Sequence, residues 1–213
     1  MLTVWGRKTS SNVQALMWCI GELGLQVNRI DIGHRFGGND TADFLAMNPN
    51  GTVPVVKDGN NDPLWETGAI LRYLACEYGS QDFWPHSNRE RAQVDKWAEW
   101  AKLNIALNFT APVFWRVVRT PAAQRDEAAI AAALKTLHHF MAIAEKQLQH
   151  HAWLAGDQFS LADIQFGHIL YRYYDIAIER PVFPAIEDCY QRLHQRKAWL
   201  DHVRVSYEEL RAV

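Results

Sequence analysis

Cysteine is scarce in this chain of 213 residues and follows no recognised pattern. Three cysteines stand far apart, at Cys19, Cys76 and Cys189, and no CxxC occurs. An odd, widely spaced set argues against both a disulfide framework and a structural zinc site. Since thiols stay reduced in the cytoplasm, we expect a cytoplasmic protein.

An excess of charge of one sign and long apolar runs are also missing. Lys and Arg number 22 against 24 Asp and Glu, so the formal net charge is -2. Nothing in this balance favours a nucleic acid or an anionic membrane as partner. No stretch approaches the roughly 20 apolar residues of a membrane span, and the start of the chain lacks the apolar run of a signal peptide.

Nine histidines are present, but they suggest no metal site. The pairs His138–His139 and His150–His151 are adjacent in sequence, so the two members of each pair would point to different faces of a helix. No HExxH or comparable pattern of convergent ligands occurs. We therefore expect no bound metal.

The first 79 residues alternate between strand and helix patterns. Apolar, partly β-branched runs predict strands, and apolar residues at helical spacing predict helices. The predicted order is β-α-β-α-β-β-α, with strands at 2–6, 27–32, after the NPNG turn and at 63–66, and helices near 11–24, 41–47 and 67–78. This order indicates an α/β unit with a small mixed sheet.

The second part of the chain has only helical periodicity. A linker, QDFWPHSN, precedes it, and Pro112 should kink its first helix. Helices are predicted at 89–119, 124–149, 160–179, 184–196 and 198–211. The fold class is therefore α/β followed by all-α.

Four motifs occur in a characteristic order. They are GRKTSSNVQALMW at 6–18, NPNGTVPVV at 48–56, WETGAILRYL at 65–74 and FSLADI at 159–164. In this order they resemble the signature regions of cytosolic glutathione transferases, and the first resembles serine-type, theta-like and bacterial members. The resemblance implies a thioredoxin-like glutathione-binding domain at 1–80, a linker at 81–87 and an all-helical substrate domain at 88–213. It also implies glutathione as co-substrate and a homodimer.

Val53 and Pro54 form the centre of the second motif. On the residues alone, a trans proline opening an edge strand is the ordinary interpretation. The resemblance implies instead that this peptide bond is cis. The backbone N–H and C=O of Val53 would then pair with the cysteinyl unit of glutathione like an antiparallel strand.

Glu66 and Thr67 suit the γ-glutamyl end of glutathione, which carries an ammonium and a carboxylate. Glu66 would meet the ammonium. Thr67 lies where the third helix begins, so its hydroxyl and nearby N–H groups can bind the carboxylate. The alternative is that Thr67 is simply an N-cap and Glu66 an acid favoured by the helix dipole, and both interpretations can hold together.

The catalytic hydroxyl is expected between the first strand and the first helix. A glutathione thiol must lose its proton to act as a nucleophile, and a hydroxyl donor at a helix N-terminus stabilises the thiolate. The resemblance puts Ser10 at the active position and Asn12 at a second polar position, and a slip of one residue would exchange Ser10 for Ser11. Serine here argues against cysteine-bearing family members. Helix capping alone is the alternative.

Three further assignments concern the glycine carboxylate of glutathione, the second substrate and the FSLADI motif. Asn39, with His34 and Arg35 as alternatives, would receive the glycine carboxylate of glutathione. Trp115 would line a pocket for an apolar electrophile, although core packing is the usual role of such a residue. Within FSLADI, Ser160 and Asp163 have capping-box spacing, and we expect Asp163 to be structural.

The function implied by the resemblance is conjugation of the glutathione thiolate to small apolar electrophiles, a reaction of detoxification. Two alternatives stay open. One is a glutathione-dependent disulfide or peroxide reductase, and the other is a non-catalytic binding protein that keeps the fold.

Overall fold

The computed structural model describes residues 1–212. The last residue of the predicted helical domain, Val213, lies outside the described residues. Within them no helix is both long and apolar enough to cross a membrane.

A four-stranded mixed sheet forms the first part of the fold, as predicted. Its order is β2-β1-β3-β4, with β1 and β2 parallel and the other neighbours antiparallel. The strands are β1 Leu2–Trp5, β2 Val27–Ile30, β3 Val55–Asp58 and β4 Leu64–Trp65. Because β1 and β2 run parallel, a helix must connect them, and this places the start of that helix beside the end of β1.

Three helices accompany the sheet: α1 Ser11–Glu22, α2 Ala42–Met47 and α3 Thr67–Tyr78. The bounds of α3 agree with the prediction at both ends. Helix α1 packs against α3, and Leu16, Trp18 and Ile20 of α1 are buried. Burial of this helix fixes its N-terminus at one edge of the fold. The loop predicted at 34–40 contains a short 3-10 turn, His34–Phe36.

The rest of the chain is helical. Its α-helical segments are α4 Asn88–Trp100, α5 Leu107–Phe109, α6 Arg116–Val118, α7 Glu127–Leu148, α8 Leu161–Gly167, α9 Leu170–Asp175, α10 Pro184–Leu193 and α11 Lys197–His202. One continuous cluster of buried apolar side chains joins this part to the sheet. The domain limits at 80 and 88 remain a prediction.

The long helix predicted at 89–119 is present over 88–118, but it is not regular. Two π-helical segments interrupt it, Ala101–Ala106 and Thr110–Trp115. Pro112 lies in the second of them, so the expected irregularity takes the form of a widened turn, because proline has no N–H to donate. No proline explains the first segment.

Two predicted helices are each divided in the structure. The helix predicted at 160–179 breaks at 168–169 into α8 and α9, where Trp199 donates its indole N–H to the Gly167 carbonyl at 3.3 Å. The helix predicted at 198–211 ends at His202 and resumes only as a 3-10 turn, Glu208–Leu210. Between them, Tyr207 is buried and donates to a carboxylate oxygen of Asp175, a tertiary contact that a continued helix would break.

The capping box in FSLADI is confirmed. Ser160 donates its backbone N–H to an Asp163 oxygen at 2.9 Å, and Leu154 donates its N–H to the other oxygen at 2.8 Å. Asp163 is fully buried, and burial raises the pKa of its carboxyl to about 6 despite these hydrogen bonds. Its role in the fold is structural, as expected.

Candidate active site

The start of α1 presents an unused hydroxyl. Ser10 is the N-cap residue, and its carbonyl accepts the Gln14 N–H at 2.8 Å. Its hydroxyl makes no capping hydrogen bond, although N-cap serines commonly do. The helix N-terminus also favours negative charge. Ser10 therefore has a free donor where an anionic sulfur would be stabilised.

The loop that carries Ser10 is held from the helical part of the chain. Arg172 donates from Nη2 to the Thr9 carbonyl at 2.7 Å, and its guanidinium lies 4.7 Å from the ring centre of Phe114. The Thr9 hydroxyl donates to the Glu209 carboxylate, which also pairs with Arg35 at 2.9 Å. These contacts fix the loop backbone and so the position of Ser10.

Val53 and Pro54 approach the same loop. The peptide bond between them is cis, as the family resemblance implied. Among residues 1–212, nothing forms a hydrogen bond with the backbone N–H or C=O of Val53. Both groups are therefore available to an extended peptide ligand.

Glu66 lies beside Pro54 because Val55 of β3 pairs with Trp65 of β4. Glu66 precedes α3 with φ 67°, a left-handed conformation that non-glycine residues seldom adopt and that is concentrated at ligand sites. Thr67, the first residue of α3, is buried. The pair thus forms a helix start at the same end of the sheet as Val53.

One cleft brings together most of the residues expected at the site. Its lining includes Ser10, Ser11, Asn12, Asn39, Val53 and Trp115. Pro54, Glu66 and Thr67 are outside this lining and lie next to it through the pairing of β3 with β4. The cleft has a volume of about 280 Å³ and is formed by both parts of the chain.

Asn39 is only partly free to bind a ligand. Its amide nitrogen donates to the Gly51 carbonyl at 2.9 Å, which leaves one of its two N–H groups. His34, the alternative, lines the cleft, whereas Arg35 is paired with Glu209. Burial and then the nearby charges of Arg7 and Arg119 lower the pKa of His34. Its imidazole is therefore mainly neutral at neutral pH.

Lys102 is a site residue that the sequence did not reveal. It belongs to the first π-helical segment, and its Nζ donates to Oδ1 of Asn12 at 2.7 Å. Burial lowers the pKa of this ammonium, while the carboxylates of Glu66 and Glu99 act in the opposite direction. Because the Lys102 ammonium can only donate, it has to contact the amide oxygen of Asn12. The NH₂ group of Asn12 therefore remains free to donate to a ligand.

Arginines are the second feature that sequence reasoning missed. Arg7, Arg119 and Arg172 line the cleft, and no Asp or Glu is among its described lining residues. Burial, and then the charges of Arg119 and Arg7, lower the pKa of Arg172. Arg7 lies inside the GRKTSSN motif, which offered a local signal, but nothing near Arg119 or Arg172 in sequence marks them as site residues.

Of the aromatic residues, only Trp115 contributes to the cleft. It is 43% exposed, and the Arg119 guanidinium lies 4.6 Å from its ring centre. Phe109, Phe114 and Tyr173 are buried in the core, the role that aromatic residues most often have. The cleft is therefore more polar than the apolar pocket expected from the sequence.

No cluster of three or more potential ligand side chains for a metal ion occurs within residues 1–212. The three cysteines carry free thiols, and none lines the cleft.

Fold and site together define a thioredoxin-like α/β unit followed by a helical unit, with the free backbone groups of Val53 next to a helix start. The family model of the glutathione S-transferase N-terminal domain matches residues 1–76, and that of the C-terminal domain matches residues 107–197. The chain is 38% identical to glutathione S-transferase GstB of Escherichia coli, over 93% of this chain and 95% of the relative.

A solved structure and a second sequence relative are also similar to this chain. A theta-class glutathione S-transferase from Xanthomonas axonopodis pv. citri, with glutathione bound, has a TM-score of 0.91 and 41% identity over 96% of this chain and 98% of that chain. The disulfide-bond oxidoreductase YfcG of Escherichia coli is 28% identical over 83% of this chain and 82% of its own length. The chain belongs to the glutathione S-transferase family, a family of enzymes.

Proposed function

We propose that this enzyme conjugates the glutathione thiolate to an electrophilic carbon of a small compound whose apolar part lies against Trp115. The main support is the position of Ser10, whose hydroxyl is free at a helix N-terminus inside the cleft. A donor at that place lowers the pKa of a bound thiol and so supplies the nucleophile at neutral pH.

The same proposal assigns the binding of glutathione. The free backbone groups of Val53, the residue that precedes the cis bond to Pro54, pair with the cysteinyl unit. Glu66 and Thr67 bind the γ-glutamyl ammonium and carboxylate, and Asn39 or His34 receives the glycine carboxylate. Asn12, held by Lys102, or Ser11 supports Ser10 as a second donor to the sulfur.

Two wider features complete the proposal. We expect a homodimer, because Leu103 and Leu107, one helical turn apart on the long helix, are each about half exposed. We also expect a cytoplasmic role in detoxification, which the three unpaired cysteines suit because free thiols persist in a reducing compartment.

Reduction of disulfides is the second candidate, and the similarity to YfcG favours it. The test is a panel of chlorinated aromatics, epoxides and isothiocyanates, assayed beside glutathione-dependent reduction of a disulfide and a peroxide. Conjugation faster than reduction supports the transferase. Reduction without conjugation would favour the reductase, and glutathione binding with neither activity would indicate a non-catalytic binding protein.

A further inference from the structure

The cleft carries positive charge that nothing in its lining neutralises. Arg7, Arg119 and Arg172 are three of its lining residues, and among those the structure describes there is no carboxylate. The acidic group whose charge acts on Arg7 is Glu209, which already accepts a hydrogen bond from Thr9 and forms an ion pair with Arg35. An anion entering the cleft would therefore meet no carboxylate in the lining, and the nearby Glu209 already has Thr9 and Arg35 as partners.

Two of the three guanidiniums have no hydrogen-bond or ion-pair partner in the part of the chain that the structure describes. Within residues 1–212, the side chains of Arg7 and Arg119 make no hydrogen bond and no ion pair, and the Nε atom of each is buried. Arg172 differs, because it donates to the Thr9 carbonyl and so has a structural task. Buried polar groups are normally paired, and a guanidinium matches a carboxylate with two parallel hydrogen bonds. Arg7 and Arg119 are thus placed to bind a small oxyanion.

Their places in the fold set where that anion would lie. Arg119 directly follows α6 in the helical part and stands 4.6 Å from the ring of Trp115. Arg7 belongs to the β1–α1 loop, three residues before Ser10. Its guanidinium lies close to Gly33, since a Cβ atom placed on that glycine would be 3.3 Å from Nη1 of Arg7. The two arginines therefore reach the cleft that contains Ser10 from different parts of the chain.

We propose that the second substrate is an electrophile bearing a carboxylate or a similar small oxyanion, held by Arg119 and Arg7, with its apolar body against Trp115. This rests on the proposed conjugating function and names its substrate class. The thiolate lone pair forms a C–S bond at the carbon carrying the leaving group, and the halide departs with the electrons of its bond. The anionic group is unchanged and serves only to orient the compound.

The glycine carboxylate of glutathione is the competing occupant of these arginines. It has the same chemistry, and His34 and Asn39 of the same cleft stand near Arg7. Arg119, in contrast, belongs to the helical part together with Trp115. The experiment therefore has to separate an anion on the electrophile from the anion on glutathione.

The test compares 4-chloro-3-nitrobenzoate with 4-chloro-3-nitrobenzamide, which have nearly the same shape and differ in charge. Rates of thioether formation are divided by the uncatalysed rate of each compound. Wild type should prefer the benzoate at least about tenfold, and Arg119→Gln and Arg7→Gln should each lose most of this preference. Arg116→Gln, an exposed arginine of α6 outside the cleft, is the matched control and should keep it.

Two results of this assay would overturn the proposal. One is an equal loss for the benzoate and the benzamide in Arg119→Gln, which would mean that the arginine acts on the thiolate or on the fold. The other is a raised KM for glutathione in Arg119→Gln that disappears when the glycine monoethyl ester of glutathione replaces glutathione in both proteins. That result would assign the arginine to the glycine carboxylate.

A binding measurement separates this proposal from the proposed function. Calorimetry on the protein saturated with S-methylglutathione compares 3-nitrobenzoate with 3-nitrobenzamide, neither of which can react. Tighter binding of the benzoate, lost in Arg119→Gln, supports the anion site even if no conjugation occurs, in which case only the proposed function fails. Equal binding of the two compounds overturns the anion site whatever the activity.

Discussion

The ammonium of Lys102 lies 2.7 Å from Oδ1 of Asn12, although the two residues are 90 positions apart in the chain. This contact joins the π-helical segment of the long helix to the first turn of α1. It orients the Asn12 amide so that its NH₂ group remains free in the cleft. Lys102 is therefore a positioning residue for the α1 N-terminus.

Replacement of Lys102 tests this contact. Lys102→Met should raise the pKa of bound glutathione and lower the conjugation rate several-fold at pH 7, because the Asn12 amide loses its anchor. Ultraviolet titration of the thiolate measures the shift. Lys102→Gln, which keeps a hydrogen-bond donor without the charge, should recover part of the lost rate and show a smaller rise in pKa. Equal defects in both variants would show that the charge matters and the hydrogen bond does not.

Removal of the Ser10 hydroxyl should have the largest effect on thiolate formation. A hydrogen bond to a charged group contributes about 1.5–3 kcal/mol, so Ser10→Ala should raise the pKa of bound glutathione by about one to two units. The rate loss should shrink at high pH, where thiolate forms without help, and glutathione affinity should change less than turnover.

Ser11→Ala and Asn12→Ala are the comparison variants for Ser10→Ala, since both side chains line the same cleft and should shift the pKa less than Ser10→Ala does. A shift in pKa confined to Ser11→Ala would move the active hydroxyl by one residue. No shift in any of the three variants would leave the helix N-terminus as the only activator and would contradict the role of Ser10.

Glu66 should contribute to binding of glutathione through its γ-glutamyl ammonium. Calorimetry should show Glu66→Ala weakening binding by about 1.5–3 kcal/mol, the value of a charge-assisted hydrogen bond. Glu77→Ala, which removes an exposed acid further along α3, is the matched control for the change in net charge. Unchanged affinity in Glu66→Ala would remove this residue from the site.

The dimer should depend on the exposed leucines of the long helix. Light scattering at micromolar concentration should give about twice the chain mass of 24.5 kDa. Leu103→Glu with Leu107→Glu should shift the protein toward the monomer, because burying the new carboxylates is costly. Val182→Glu, at a residue 82% exposed in another part of the helical region, should not. A monomeric wild type would contradict the homodimer.

Asp163 should make stability depend on pH in a definite direction. Burial raises the pKa of its carboxyl to about 6 in the folded protein, against about 3.9 in an unfolded chain. Between these values the folded state binds more protons, so the contribution of Asp163 to stability falls as pH rises from about 4 to 6. Urea unfolding should show wild type losing stability relative to Asp163→Asn over this interval. A constant difference between the two proteins would mean that the carboxyl titrates normally.

Much of this protein follows from short stretches of sequence. The bounds of α3, the capping box of Ser160 and Asp163 and the order of strands and helices agree with the sequence analysis because each depends on residues a few positions apart. Helix caps, turns and apolar periodicity are local interactions. The signature motifs, which are also short, indicated the family and the cleft residues Ser10 and Val53.

Only the tertiary structure decided how the cleft is charged and how the α1 N-terminus is held. Lys102 meets Asn12, and Arg172 meets the Thr9 carbonyl, because the helical part packs against the sheet. Among residues 1–212, Arg7 and Arg119 have no hydrogen-bond partner for their buried Nε atoms, which depends on how distant segments meet. The end of α11 before the buried Tyr207 depends on such contacts too. Such contacts leave no periodic or local signal, since their energy comes from burial and pairing in the folded chain.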